Sequence, residues 1–520
     1  MIFKTFKKGT PNDDYWDMAL LKSLPTYHKQ VPSEDYEIVV IPARQNYKHI
    51  KEINRFLSGF HGVVLILTGD EENVFPIDEI EHDNIRIWQM TPVKDSKKVD
   101  RYLPNGYTPH TRLLEEFEKE YLIKPLEWFF SGQVTHAERK HLEEALLTLE
   151  GGFFYKSEGF TQGLDKKEYM RNMAMAKVVP CPAGPVTPDT FRFYEALEAG
   201  AVPLILEKNK EYYDKVFGDN PIRTLDKWEN FPDYVRWYID TYPHYNNVMG
   251  SWWSLEKNKI FKNLMNDFQD IGGNVERSEI LTVITTSPTP AHPSTNAIEE
   301  VLDSVVSRLP NSEVLILADW IRGEQIKFTE NYEEYLKRLL FLIRWKYKNV
   351  SLKIFDTHHH QAGMMRSIIN EVEQPYVLFM EHDTPLCEYI PFDHLKNAIK
   401  NGVTNFIRLH HEALILDVHK HLMLNEIEFQ GLVLQETAQW SQRPHLASTD
   451  FYRKCLDNFS VDSKTMIEDK MFGVVQDAFR QRGRAGWNDY KLTIYKPDGD
   501  MKRSYHLDTR GKEPKFEMKF

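Results

Sequence analysis

At 520 residues, with 41% apolar and 27% charged side chains, the chain has room for two to four globular domains and is too apolar to be disordered. Its net charge of −12 argues against a broad electrostatic grip on nucleic acid. The three cysteines, Cys181, Cys387 and Cys455, lie too far apart in sequence for a disulfide framework or a cysteine-rich zinc site. No run of about 18 apolar residues occurs and the N-terminus has no apolar leader, so a cytoplasmic protein with no membrane span is expected.

A helix is predicted over residues 12–24, and the apolar runs 36–44, 62–68 and 85–90 read as strands. Together they form a first α/β lobe, residues 1–122. Asp70, Glu71 and Glu72 follow a strand end and read as a solvated loop, while His110 and Arg112 are candidates to reach a cleft. A second lobe, residues 123–270, opens with the strand LEWFFSGQ and its small-residue turn Ser131-Gly132-Gln133. A helix over 136–149, the strand GGFFYKSEGF and the helix KKEYMRNMAMAK follow.

Residues 177–207, KVVPCPAGPVTPDTFRFYEALEAGAVPLILE, are the most informative run. A strand at Lys177–Val179 enters a Pro/Gly-rich turn, and Asp189 or Thr190 caps a helix that Gly200 closes before the strand Val202–Leu206. Such a strand–turn–helix–strand unit places its turn where open α/β sheets bind ligands, and the helix start favours a diphosphate. Arg192 and Glu195, three residues apart, share a helix face. A guanidinium suits phosphate and a carboxylate suits vicinal hydroxyls; alternatively the two side chains simply pair with each other.

The run resembles the donor-binding motif of GT-B glycosyltransferases, the exostosin-like family in particular. The resemblance implies Arg192 at the donor diphosphate and Glu195 at donor hydroxyls, with Gly184 and Thr190 beside them. The Ser131-Gly132-Gln133 turn would also touch the donor phosphate. No base is assigned in this half.

Residues 255–278 are polar and helical, broken by Gly272-Gly273, and a third domain is placed at 278–520. Strands are predicted at 280–286, 312–319, 350–356 and 375–383, alternating with helices, so an α/β sheet restarts here. Tyr376–Met380 read as a buried strand that presents Glu381, His382 and Asp383 at its carboxyl end. A carboxylate there can hold Mg2+ or Mn2+ against a nucleotide diphosphate, or can be a strand-end acid with no ligand.

This segment is similar to the DxD motif of GT-A glycosyltransferases, with Glu381 in place of the first Asp. The resemblance implies Asp383 and Glu381 as metal ligands, completed by His506 in SYHLDTRG. Glu468-Asp469 at a helix start resembles the acid pair of family-2 enzymes, which makes Asp469 the general base; a helix cap is the plain alternative. Thr285, Thr286 and Asp319 would hold the nucleoside, and Arg366 a phosphate. The adjacent His358, His359 and His360 diverge in direction and cannot share one ion, so they read as a loop near the phosphates. Trp440, Arg443 and His445 are assigned to the acceptor side, and the basic C-terminal tail to closure over the diphosphate.

The expected fold is α/β: a two-lobed GT-B-like module followed by a GT-A module with a Rossmann-like, mixed sheet. The expected activity is tandem glycosyl transfer from nucleotide sugars, UDP-linked, with Mn2+ or Mg2+ and inversion in the GT-A half. The acceptor would be a glycan in a bacterial cytoplasm. Equally it would be a hydroxymethylated base of phage DNA in an infected cell, with UDP-glucose or UDP-arabinose as donor and a basic stretch at 337–348 or the basic tail as the grip. The rival from another class is a catalytically degenerate carbohydrate-binding or scaffolding protein.

Overall fold

The computed structural model describes residues 3–6, 18–91, 96–159, 162–410, 417–460, 463–496 and 502–507. The chain folds into two compact units, Met1–Glu276 with Leu340–Lys348, and Arg277–Leu339 with Asn349–Phe520. Among the described residues no helix is long and apolar enough to cross a membrane.

The first unit holds two parallel sheets. Strands β1 (Lys4–Thr5), β2 (Tyr36–Pro42), β3 (Gly62–Thr68), β4 (Ile85–Met90) and β5 (Arg101–Leu103) lie side by side in chain order. Their side chains alternate between two cores. Val39, Ile41, Val63, Leu65 and Leu67 pack with Ile53, Leu57 and Phe75 on one face. Ile38, Val40, Val64, Ile66 and Trp88 join the larger core on the other. Burial on both faces is why these strands read as unbroken apolar runs rather than alternating ones. Of the helix expected over 12–24, the described part is five residues, Ala19–Ser23, and residues 12–17 lie outside the described residues.

The second sheet contains β6 (Leu126–Gly132), β7 (Phe153–Lys156), β8 (Ala176–Pro180), β9 (Val202–Leu206) and β10 (Arg223–Leu225), all parallel, in the order β10-β9-β8-β6-β7. Helices α1 (Ala137–Leu146), α2 (Lys166–Met175), α3 (Phe191–Glu198) and α4 (Lys210–Phe217) connect them. The chain leaves β6 for β7 on one side and returns for β8 on the other. The crossover point therefore lies between β6 and β8.

A 27-residue helix, α5 (His244–Asp270), serves both sheets. Near its start, Asn246 donates to the carbonyls of Lys177 (3.0 Å) and Gly200 (2.9 Å) beside the second sheet. Near its end, Asp267 accepts from Trp88 Nε1 and Arg101 Nε, both at 2.8 Å, beside the first. At about 1.5 Å of rise per residue these two anchors stand about 30 Å apart. The helix stops where Gly272 takes φ +105° against the Tyr36 ring.

The second unit is built on one nine-stranded sheet. Strands β11 (Ile280–Thr286), β12 (Glu313–Ala318), β13 (Val350–Ile354), β14 (Tyr376–Glu381), β15 (Phe406–Leu409), β16 (Met423–Phe429), β17 (Leu432–Thr437), β18 (His445–Ser448) and β19 (Leu492–Tyr495) run in the order β13-β12-β11-β14-β18-β15-β19-β17-β16. The first four are parallel and β18 joins β14 antiparallel, so the sheet is mixed. Helices α6 (Asn296–Arg308), α7 (Thr329–Trp345), α8 (His360–Ile369), α9 (Thr449–Leu456) and α10 (Ile467–Arg482) belong to this half of the sequence. Val377 and Phe379 of β14 pack with Ala362, Met365, Phe451, Ile467 and Met471 from α8, α9 and α10. Here the chain goes from β11 outward to β13, then back past β11 to β14. The crossover point lies between β11 and β14.

Removing the Asp267 carboxylate strands the Trp88 N–H and the Arg101 guanidinium together. Asp267→Ala is expected to destabilise the first unit by about 3 kcal/mol, read as a shifted denaturant midpoint of the full chain. An unchanged midpoint would show that the Asp267 anchor does not contribute to holding α5.

Candidate functional site

In the first unit, the side chains with chemistry collect where β6 and β8 end. Arg192, in the first turn of α3, stands over Phe130 with its guanidinium carbon 4.4 Å from the ring centre, and Nη2 donates to the Ser131 carbonyl at 2.6 Å. A Cβ on Gly132 would stand 2.7 Å from that Nη2, so a side chain there would push the guanidinium off the Ser131 carbonyl. Arg139 of α1 donates to the Gln133 carbonyl at 3.1 Å. Burial and the neighbouring Arg192 push the Arg139 guanidinium down to about 10, so the two cations act on each other. Nε of both arginines is buried with no hydrogen-bond partner among the described residues, as is Thr190 Oγ1. The acid next to Arg139, Glu138, has its oxygens on the Ala183 N–H (2.9 Å) and Lys208 (2.8 Å). His136 stands close by; burial and then Arg139 lower its pKa. The arrangement is a cationic strand-end site suited to an anion.

Two expectations change here. Arg192 and Glu195 do not pair with each other: Glu195 is 4% exposed and accepts from Thr108 Oγ1 (2.7 Å) and Tyr169 OH (3.0 Å). Burial raises its pKa. Nor does a side chain cap α3. Asp189 instead accepts from the Asn105 N–H and Tyr212 OH, both at 3.0 Å, and burial lifts it to about 7. Gly184 forms a tight turn, its N–H donating to the Thr187 carbonyl at 2.9 Å. Asp70, expected in a solvated loop, is buried and clamps the N–H groups of Val74 (2.9 Å) and Phe75 (3.0 Å).

In the second unit the crossover between β11 and β14 gathers Thr285, Thr286, Glu381, His382 and Asp383. Thr285 pairs with Glu381 in the ladder, and the His382 N–H donates to the Thr285 carbonyl at 3.0 Å. Thr286 Oγ1 lies 3.2 Å from Tyr335 OH, whose pKa burial raises, with Asp383 adding to the shift. Asp383 is 2% exposed; His506 Nε2 stands 3.5 Å from its Oδ2, and the Leu507 N–H donates to its carbonyl at 2.9 Å. Residues 503–507 thus lie along 383–387, also joined by Cys387 N–H to the Arg503 carbonyl (3.0 Å). The tail beyond 507 lies outside the described residues. Asp469 is exposed in the first turn of α10 and makes no hydrogen bond or ion pair among the described residues, whereas Glu468 accepts the Gln442 N–H at 2.8 Å.

The expected three-ligand metal set is not assembled. Glu381 has the same strand parity as Val377 and Phe379, which face α8, and there its Oε1 accepts from Gln361 Nε2 at 2.8 Å. Among the described residues no group of three acids, histidines or cysteines could hold a metal ion. Asp383 and His506 remain as a two-residue set, which suits a cation that takes its other ligands from phosphate and water.

Four other sequence expectations are corrected. Asp319 is not open to a nucleoside: Oδ1 accepts the N–H groups of Trp320 (3.0 Å) and His359 (2.7 Å), Oδ2 that of His360 (2.9 Å), and His358 Nδ1 lies 2.8 Å from Oδ2. Arg366 is not a phosphate contact, because Nη1 donates to the carbonyls of Leu456 and Phe459 at the end of α9. Trp440 and His445 are core rather than acceptor-side residues, both fully buried. The basic stretch at 337–348 is no patch: Lys337 (2.6 Å) and Arg338 (2.9 Å) pair with Glu334, and Arg344 is buried against Glu198. Sequence reading missed Arg139 and His136. Their signal was a basic residue just inside the helix that follows the Ser131-Gly132 turn.

No protein-family model and no curated protein matches this sequence. Among solved structures the chain is similar to S. aureus TarS, at 13% identity over 44% of this chain and 36% of that one, with a TM-score of 0.27. It is similar to the mannosyltransferase PcManGT from Pyrobaculum calidifontis, solved with GDP-Man and Mn2+, at 12% identity over 43% and 58% of the two chains, TM-score 0.27. GalNAc-T7, solved with UDP, GalNAc and Mn2+, is similar at 11% identity over 44% and 43%, TM-score 0.28. The chain therefore spans less than two thirds of each of these three chains.

His445 sits between the Phe379 and Phe406 rings, donates Nδ1–H to the Arg443 carbonyl (2.7 Å) and accepts at Nε2 from Tyr452 OH (2.6 Å). Burial pushes it down to about 3 from an ordinary 6.5. The folded state then refuses a proton that the unfolded state takes up, so this stabilisation is complete above the ordinary value and lost as pH falls toward 3. Its share of the loss is about 1.4 kcal/mol per pH unit. Denaturant titrations at pH 7 and 5 are expected to differ by about 2 kcal/mol more in the native chain than in His445→Gln. Equal pH dependence would remove His445 as the cause.

Proposed function

We propose that the chain is a glycosyltransferase that takes sugars from nucleotide-diphosphate donors. One observation carries this reading: in each of two separate sheets, the side chains with chemistry gather at the crossover point of parallel strands, where open α/β sheets receive nucleotides. In the first unit, Arg192 and Arg139 are cations short of an acid partner and await a diphosphate. Glu195, which the exostosin-like resemblance assigns to the donor's own hydroxyls, is buried and already takes the Thr108 and Tyr169 hydroxyls, so it contributes by ordering them.

In the second unit, Asp469 takes the proton of an acceptor hydroxyl as that oxygen attacks the anomeric carbon. The bond from this carbon to the diphosphate breaks in the same step, and the configuration inverts. A Mg2+ or Mn2+ ion held by Asp383 and His506 would supply charge to offset the leaving diphosphate. Thr285 and Thr286 line the same strand end. The acceptor is a hydroxyl of a glycan; a hydroxymethylated DNA base is the less favoured choice, because a chain of net charge −12 repels a polyanion. A silent carbohydrate-binding protein is favoured by one feature, the commitment of Glu381 to Gln361.

A nucleotide-sugar hydrolysis screen with and without Mn2+ tests this function. The native chain is expected to release nucleoside diphosphate from at least one donor. Asp469→Asn should lower kcat about 10²- to 10⁴-fold with KM little changed. Arg192→Ala should weaken donor binding by the first unit, and Asp383→Asn should abolish the Mn2+ response of the second. Silence toward every donor, with acceptor glycans supplied, would favour the binding-protein reading.

A further inference from the structure

His360 opens α8 at φ 56°, in the left-handed region that favours glycine. Asp319 holds it there, taking the N–H groups of His359 and His360 on its two oxygens. The next residue completes the clamp: the Gln361 N–H donates to His360 Nδ1 at 2.9 Å, and Gln361 Nε2 reaches Glu381 at 2.8 Å. The turn is pinned at the end of β12 by one acid and at the end of β14 by another. It therefore lies across the crossover between β11 and β14. Backbone strain of this kind persists only where the surroundings over-determine it, and it collects at ligand clamps.

The hydrogen bonds also settle the chemistry of the ring. A nitrogen that accepts an N–H carries no proton, so the imidazole proton sits on Nε2. Nε2 makes no hydrogen bond among the described residues. The ring is half-buried, and the charged and titratable groups acting on it are His358, Asp319, Arg322 and Asp469. We propose that His360 Nε2–H is a fixed, neutral hydrogen-bond donor to an oxygen of the bound nucleotide, a phosphate oxygen or a base carbonyl. This rests on the nucleotide-sugar reading of the second unit and assigns the N–H that Asp319, used up by the turn, cannot replace. Asp319 and Gln361 are then positioning residues, acting through His360.

Calorimetric titration of the full chain with UDP, GDP and uridine in Mg2+ buffer, with melting midpoints alongside, tests the assignment. His360→Asn keeps an acceptor near Nδ1, tolerates positive φ and loses the distal N–H; His360→Gly relieves the backbone; His360→Gln restores an N–H near the position of Nε2. Asn and Gly are expected to weaken UDP or GDP binding about three- to tenfold while melting no lower than the native chain, and Gln to recover most of the affinity. Weakening of uridine as well assigns the base carbonyl; weakening of the diphosphates alone assigns a phosphate oxygen. Native affinity in both Asn and Gly variants would overturn the proposal. A native chain that binds none of the three probes would instead overturn the nucleotide-sugar reading beneath it.

Discussion

Parallel strands deliver all their carboxyl ends to one edge of a sheet, and a chain that reverses its direction of winding opens a crevice at that edge. This constraint governs both units. Between β6 and β8 it brings the Ser131 carbonyl, Gly132, Arg139 and Arg192 together, although α1 and α3 are more than forty residues apart. Between β11 and β14 it brings Thr285, Thr286 and the Glu381–Asp383 turn together in the same way. The first sheet of the first unit shows the converse. Its strands lie in chain order, and the first acid after its third strand, Asp70, is spent on the amides of its own loop.

The two crevices carry opposite charge. In the first unit, two arginines share a site in which Glu138, the acid beside Arg139, is turned to a backbone amide and Lys208. Like charges held together at partial burial destabilise the unliganded state, so an anion that enters gains what the fold gave up. In the second unit the floor is acidic and histidine-bearing, with Asp383 against His506 and an exposed Asp469. Such a site gains from a cation, or from a substrate proton that an acid can accept.

The strands were legible in the sequence because each is an apolar run bounded by turn residues: 62–68 and 280–286 form as read, and of the run 375–383 the strand is Tyr376–Glu381. The Arg192–Glu195 helix was legible too, since its turn, helix and strand are local. What the sequence did not show is which polar side chains the fold consumes. Arg366 has the position of a phosphate ligand, yet the end of α9 packs against α8 and its last carbonyls take the guanidinium. His445 lies in a polar-looking run, but its strand is inserted between β14 and β15, where both faces are covered. Arg139 was missed for the opposite reason: its place just inside the helix after the Ser131-Gly132 turn is a local signal, but nothing in that helix reveals that it will lie beside Arg192.

Asp319 and Asp469 make the distinction sharp. Both are aspartates at element ends and both carried a functional reading. Asp319 ends a buried strand, and its two oxygens take the backbone N–H groups of Trp320, His359 and His360, with the His358 ring beside them. Asp469 starts a surface helix whose neighbouring acid, Glu468, already serves the adjoining backbone, so its own oxygens stay open to solvent. Availability follows from the number of unsatisfied donors the surrounding backbone leaves, and this number depends on the tertiary fold. At the end of β12 the backbone demand is met by one acid, and the side chain it leaves with an unshared N–H among the described residues is His360, whose Nδ1 takes the Gln361 amide.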